Sequence, residues 1–222
     1  MGKFREFLER NGKIIEVIFS LISLIIVGVI GTTISINNSI TSRASLDLAR
    51  ANAQPAFNIQ IEYDTNSTTE TLCVNIESGF AENITVKEYT VYDYHGQANE
   101  KSFSKKCQVP DYFEGYQYGN NKGSIAKMSN DNNFRIYLDL LLEILDIDNK
   151  SGLNRFIYVV ISYRDITGLD ITKYYVNKGG FYFNHVTTDE GNEMIKSISS
   201  LPEYELEKIT LNTLIALPDT AK

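Results

Sequence analysis

The sequence predicts a mainly β protein carried by one N-terminal transmembrane helix: an apolar span, then an antiparallel β-sandwich, then a short C-terminal helical segment. Three observations lead there. Residues 17–36 run for 20 positions without a charged side chain, and 20 helical residues cover about 30 Å, the hydrocarbon thickness of a bilayer. From residue 57 onward, apolar and polar residues alternate in short stretches, the two-residue period of half-buried strands. The 222 residues include 14 Tyr, 11 Phe, no Trp and only 4 Pro. With abundant Ile, Val and Thr, that composition favours strands over a Pro-rich stalk.

Taken in order, residues 1–13 form a short basic segment with Lys3, Arg5, Arg10 and Lys13. Residues 14–36 are the span. Its apolar core exceeds the roughly 7–15 residues of a cleavable signal peptide, and the nearest small-x-small site, Ala51-Asn52-Ala53, comes well after it. The span therefore reads as an uncleaved signal anchor. Four basic residues precede it and only Arg43 and Arg50 follow closely, which places the N-terminus in the cytoplasm and the larger domain outside, at the cell membrane. Gly28, Gly31 and Ser35 share one helical face and form a candidate helix–helix contact in the bilayer. Glu16, one turn inside, can snorkel to the headgroups or pair with Lys13.

Residues 37–54 carry Ile40, Ala44, Leu48 and Ala51 at helical spacing, so this juxtamembrane linker or helix runs on until Pro55. The predicted β-sandwich occupies 55–187. Phe57, Ile59, Ile61 and Tyr63 define its first strand; Leu72, Val74 and Ile76 define the second. A longer strand covers 84–94, where the apolar parity shifts between Val86 and Tyr89 and predicts a bulge near Lys87-Glu88. Residues 95–130, rich in Gly, Asn and Lys, predict short strands and loops. Phe134, Ile136, Leu138, Leu140 and Leu142 alternate and predict a strand, although Leu138, Leu141, Leu142 and Leu145 would also share a helical face. FIYVVISY (156–163) is apolar on both sides, as a central strand is, and 171–176 returns as its hairpin partner. Gly179-Gly180 interrupts the chain before Phe181-Tyr182-Phe183 resumes. In the last segment, 188–222, Met194, Ile195, Ile198 and Leu201 predict a short amphipathic helix, and the residues from Glu203 predict a further helix or a tail.

The hairpin ISYRDITGLDITKYY resembles the late strand pair of immunoglobulin-like sandwiches. The resemblance covers about 15 residues, lacks the Cys…Trp…Cys pattern, and implies architecture rather than activity.

Of 21 basic and 28 acidic side chains, four and three precede residue 37, leaving 17 against 25 in the remainder. A domain this acidic repels phosphate backbones, so no nucleic-acid partner is expected. The expected partners are the lipid bilayer, through residues 14–36, and a protein or a second copy of the chain. Cys73 and Cys107 form one possible disulfide, with two unpaired thiols as the alternative. The sequence contains no H-E-x-x-H, C-x-x-C, G-x-S-x-G or phosphate-binding glycine motif, and His95 and His185 stand 90 positions apart. No catalytic, cofactor or metal residues are assigned, and no enzymatic activity is expected. Asp146, Asp148 and Asn149 begin like a calcium loop, but Lys150 and Ile157 occupy ligand positions, so a polar turn is the better reading. The stretch around Tyr112, Phe113, Tyr116 and Tyr118 is the candidate contact surface, because Tyr offers broad area with a polar tip. The leading functional expectation is an anchored binding module at the cell envelope. The alternatives are an accessory or effector subunit of a membrane complex with a cytoplasmic β domain, and, least supported, an anchored hydrolase.

Overall fold

The computed structural model describes residues 2–64, 66, 68–98, 101–112, 114–117, 123–180 and 182–220. The chain divides into two compact units, Met1–Asn52 and Ala53–Lys222.

The first unit is one helix, α1 (Gly2–Ala53), continuous through the juxtamembrane residues. Pro55 follows it, lacking the N–H and the φ freedom to extend a helix. Its segment Ser20–Ala49 is long and apolar enough to cross a membrane. The side chains there face away from protein: Leu24 is 76% exposed and Val27 69%. Two of its hydroxyls are satisfied within the helix, Thr32 donating to the Gly28 carbonyl at 3.0 Å and Thr33 to that of Val29 at 2.8 Å, which removes their demand for water.

The second unit is a sandwich of two antiparallel sheets. The first sheet holds β1 (Ala56–Asp64), β2 (Thr69–Ser78), β5 (Glu114–Gln117) and β6 (Gly123–Ser129) in the order β1-β2-β6-β5. The second holds β3 (Glu82–Ala98), β4 (Lys101–Gln108), β7 (Gly152–Arg164), β8 (Asp170–Asn177) and β9 (Asn184–Val186) in the order β4-β3-β7-β8-β9. The central strand predicted at 156–163 is β7, between β3 and β8, and the predicted hairpin is β7–β8. Gly168, at φ +81°, closes that hairpin in a conformation few other residues adopt.

Alternation fixes which side chains meet. Even-numbered Leu72, Val74 and Ile76 of β2 face odd-numbered Ile157, Val159, Ile161 and Tyr163 of β7 in one apolar core between the sheets. A second core lies beyond the end of the first sheet. There Tyr92, Cys107 and Leu153 of the second sheet pack under α2 (Asn133–Ile147) and the C-terminal residues Leu206, Leu211, Leu214 and Leu217. Leu206 belongs to a 3-10 turn (Leu206–Lys208), Leu211 and Leu214 to α4 (Leu211–Ala216), and Leu217 caps the end of α4. The C-terminal segment is thus core material rather than a tail.

Three further expectations are corrected. Residues 133–147 form the helix α2 and no strand. Leu-rich, with few β-branched residues, this segment has high helix propensity, and Leu140 and Ile144, four apart, insert together into the second core. The bulge in β3 lies between Glu82 and Thr85, where Asn83 has φ +51°, and not at Lys87-Glu88. Past Val86 the inward row continues as Glu88, Thr90 and Tyr92; its polar members, not an inserted residue, break the apolar pattern. The chain after Gly179-Gly180 re-enters the sheet at Asn184, while Tyr182 is 80% exposed.

The amphipathic helix predicted near Met194 is α3 (Thr188–Ile198). A capping box starts it: the Thr187 hydroxyl accepts from the Glu190 N–H while the Glu190 carboxylate accepts from the Thr187 N–H. Packing brings α3 against β8, with Gly191 set over the Tyr174 ring.

Candidate functional site

Between the two apolar cores runs a buried polar layer, made by charged residues on inward strand positions. Arg155 sits in the inward row of β7 between Leu153 of one core and Ile157 of the other. Opposite it, Glu70 heads the inward row of β2. Directly across β3, Tyr92 is the register partner of Arg155. Asp111, after β4, is fully buried beside them.

The guanidinium organises this layer. Arg155 Nη2 donates to Glu70 Oε2, and Nη1 lies 3.5 Å from Asp111 Oδ2. Its plane rests over the Tyr137 ring of α2, 4.8 Å from the centroid. Two phenols complete the anion contacts: Tyr92 donates to Asp111 Oδ1 at 3.1 Å and Tyr112 to Glu70 Oε2 at 2.7 Å. Asn133, at the start of α2, locks the backbone around them. Its amide donates to the carbonyls of Glu70 and Asp111, both at 3.0 Å, and its oxygen accepts from the Glu70 N–H at 2.8 Å.

Burial sets the protonation of this layer. Removal from water pushes the Asp111 carboxyl up to about 7, against the pull of Arg155. The same cause raises half-buried Glu88 to about 8, opposed by its hydrogen bond from Thr90. Burial opposes the charge on Arg155, but the surrounding Tyr112, Asp111 and Glu70 outweigh it and hold the guanidinium protonated. Tyr92 and Tyr112 are raised well above the usual phenol range by burial.

One side of the layer opens into a cleft of about 460 Å³. Glu70, Tyr137 and Arg155 form its inner wall; Gln60 and Tyr63 of β1, Asn154 of β7 and the Gly179-Gly180 loop form its mouth. Asn177 shapes that loop, accepting from the Gly179 N–H at 2.9 Å and donating to the Gly180 carbonyl at 2.8 Å. The cleft offers one recessed cation beside the Glu70 carboxylate, carboxamides at the rim and an aromatic edge. That set suits hydrogen bonding to a polar ligand or chain segment.

The residues singled out in the sequence fall elsewhere or are built into the core. Tyr112 is fully buried and serves the Glu70 contact, so it is core and no surface. Tyr116 lies on β5, and Phe113 and Tyr118 are outside the described residues. Cys73 and Cys107 are free thiols, buried on β2 and β4 in different sheets, which leaves no disulfide between them. Burial raises the Cys73 thiol to about 11 and that of Cys107 to about 12, so neither is activated for nucleophilic work. His95 on β3 and His185 on β9 stand three strands apart in the sheet. The Asp146–Gly152 stretch runs from the last turn of α2 to the start of β7, and in the turn between them Asp148 accepts from the Lys150 N–H and the Ser151 hydroxyl, both at 2.9 Å. Among the described residues no group of three or more potential ligands clusters for a metal. Gly28 and Gly31 have open space where a Cβ would stand.

The residues missed at sequence level, Glu70, Asp111, Asn133 and Arg155, left one readable signal. Glu70 and Arg155 share the parity of the apolar residues that follow them, Leu72-Val74-Ile76 and Ile157-Val159-Ile161. A comparison with models of known protein families finds no match, nor does a comparison with curated proteins.

Proposed function

We propose that this chain is a single-pass membrane-anchored binding module. In this reading α1 is a signal anchor with its N-terminus in the cytoplasm, and the sandwich recognises a polar partner at the cell envelope. The anchor reading is supported by the unburied apolar segment Ser20–Ala49 and by the four basic residues before it. The recognition reading is carried by one observation: both sheets contribute to a single cleft with Arg155 recessed in its wall. The sandwich acts by contact, and its acidic balance keeps it away from nucleic acid.

A second reading places the sandwich in the cytoplasm as an accessory subunit of a membrane complex. The two free, buried thiols favour it, since an oxidising compartment commonly selects for disulfides.

The cleft is tested by placing a photo-crosslinking residue at exposed Asn154 in the full-length chain within cells, with exposed Lys87 as the control position. Adducts at 154 and not at 87 are the expected result; equal or absent labelling contradicts the cleft as the contact site. Compartment is tested separately with Glu193→Cys on the exposed side of α3. Labelling by a membrane-impermeant maleimide in intact cells supports export, and protection until lysis supports the cytoplasmic reading.

A further inference from the structure

Helix α2 buries one side and leaves the other apolar. Leu140 and Ile144 enter the second core, whereas Leu142 and Leu145 are 58% and 44% exposed. Half-buried Leu138 and Leu141 adjoin them at three- and four-residue spacing, so four leucines form one strip along the helix. Such a strip on a surface otherwise carrying Arg135, Asp139, Glu143 and Asp146 marks contact with another apolar face.

The charges select the occupant. At about 100° per residue, Arg135 and Asp146 border the strip on the same flank, at opposite ends. Both are exposed, and neither enters an ion pair among the described residues. When two identical helices pack antiparallel about a two-fold axis, each flank meets its own copy in reverse order. Centred near Leu141, that arrangement sets Leu138 against the second copy's Leu145 and Leu141 against its Leu142. It also sets Arg135 against the second copy's Asp146, twice by symmetry. A parallel pair would instead set this flank against the second copy's opposite flank, which carries no charge within α2, and would leave Arg135 and Asp146 without a partner across the contact. An anionic lipid surface is disfavoured by the three carboxylates along the same helix.

We propose that the α2 leucine strip is the contact face of a symmetric homodimer, with the α2 of a second copy packed antiparallel across it and registered by the Arg135–Asp146 pairs. The inference does not depend on the cleft.

The test uses the full-length chain reconstituted in phosphatidylcholine vesicles. Native Cys73 and Cys107 are 1% and 0% exposed and give no background. Leu142→Cys lies near the proposed axis and is expected to form a disulfide-linked dimer on mild oxidation. Ile147→Cys, which stands about 16 Å from its symmetry mate along the helix, is expected to form none. In the Leu142→Cys background, Arg135→Asp or Asp146→Arg alone is expected to reduce the cross-link on the order of tenfold, and the two together to restore it. Absence of the cross-link at 142, equal cross-linking at 142 and 147, or a double reversal no better than the single changes overturns the proposal. A lipid or foreign-protein occupant would produce the first of these results.

Discussion

Arg155 on β7 donates to Glu70 on β2, so one guanidinium ties the two sheets together at the boundary between their two apolar cores. The same guanidinium approaches Asp111 at 3.5 Å. The sandwich is therefore stitched by charge where its apolar packing is interrupted.

Removing that cation leaves two buried carboxylates facing each other. Arg155→Met is expected to lower stability by about 3–5 kcal/mol, the usual cost of breaking a buried pair from one side. Adding Glu70→Gln and Asp111→Asn to it should recover a substantial part of the loss, because the orphaned charges are then gone. Urea unfolding followed by circular dichroism reads both effects; equal stability of the single and triple variants would contradict the network.

The raised carboxyls give a definite pH dependence. Asp111 and Glu88 hold their protons up to about 7 and about 8 in the folded chain, whereas in the unfolded chain they release them near the ordinary value of about 4. Between those limits the folded state binds more protons than the unfolded state, so stability falls as pH rises and levels off above about 8, each group contributing at most about 1.4 kcal/mol per pH unit. Half-buried Asp148 and exposed Glu190, lowered by their hydrogen bonds, act in the opposite sense only in more acidic solution. Thermal melts from about pH 5 to about pH 9 should show Tm declining through neutrality. Asp111→Asn with Glu88→Gln should flatten the profile.

Asn133 is the uncharged member of the layer and is fully buried. Asn133→Ala strands the Glu70 N–H and the carbonyls of Glu70 and Asp111 at once. At about 1–3 kcal/mol for an unsatisfied buried group, a loss of about 3 kcal/mol or more is expected in denaturant titration. A loss under about 1 kcal/mol would show that these groups find other partners.

Gly191 is in the middle of α3, where Ala should stabilise the helix by about 1 kcal/mol on propensity alone. A Cβ at that position would stand only 2.2 Å from the Tyr174 ring, however. Gly191→Ala is expected to be destabilising by about 1–3 kcal/mol through overpacking. Gly191→Ala combined with Tyr174→Ala should be less harmful than the two separate losses summed. Additive losses would argue against the contact.

Sequence periodicity located most of the sandwich because β1, β2, β7 and β8 bury one parity of apolar residues and expose or half-bury the other. It located α3 because Met194, Ile195 and Ile198 recur at helical spacing. It failed at α2, where a leucine-dense run satisfies both periods and the deciding contact, Leu140 and Ile144 against C-terminal residues, is remote in sequence. The same long-range packing hid the role of Leu206, Leu211 and Leu214. The polar layer was recorded in the pattern as an exception, since Glu88 and Thr90 interrupt the inward parity of β3. Two arrangements produce that signature, an inserted residue or an inward polar side chain. Only knowledge of Arg155 and Asp111 across the gap separates them. The cleft was illegible for a related reason: its walls come from β1, β2, β7, α2 and the loop after β8, which no local spacing relates.

The measurement that bears most directly on the account is alkaline carbonate extraction of membranes from cells producing the full-length chain, alongside a variant carrying Leu24→Lys and Val27→Lys. The account predicts that the native chain stays in the membrane pellet until detergent is added and that the doubly charged variant shifts to the supernatant. Release of the native chain by carbonate alone, with the variant behaving identically, would contradict anchoring by α1.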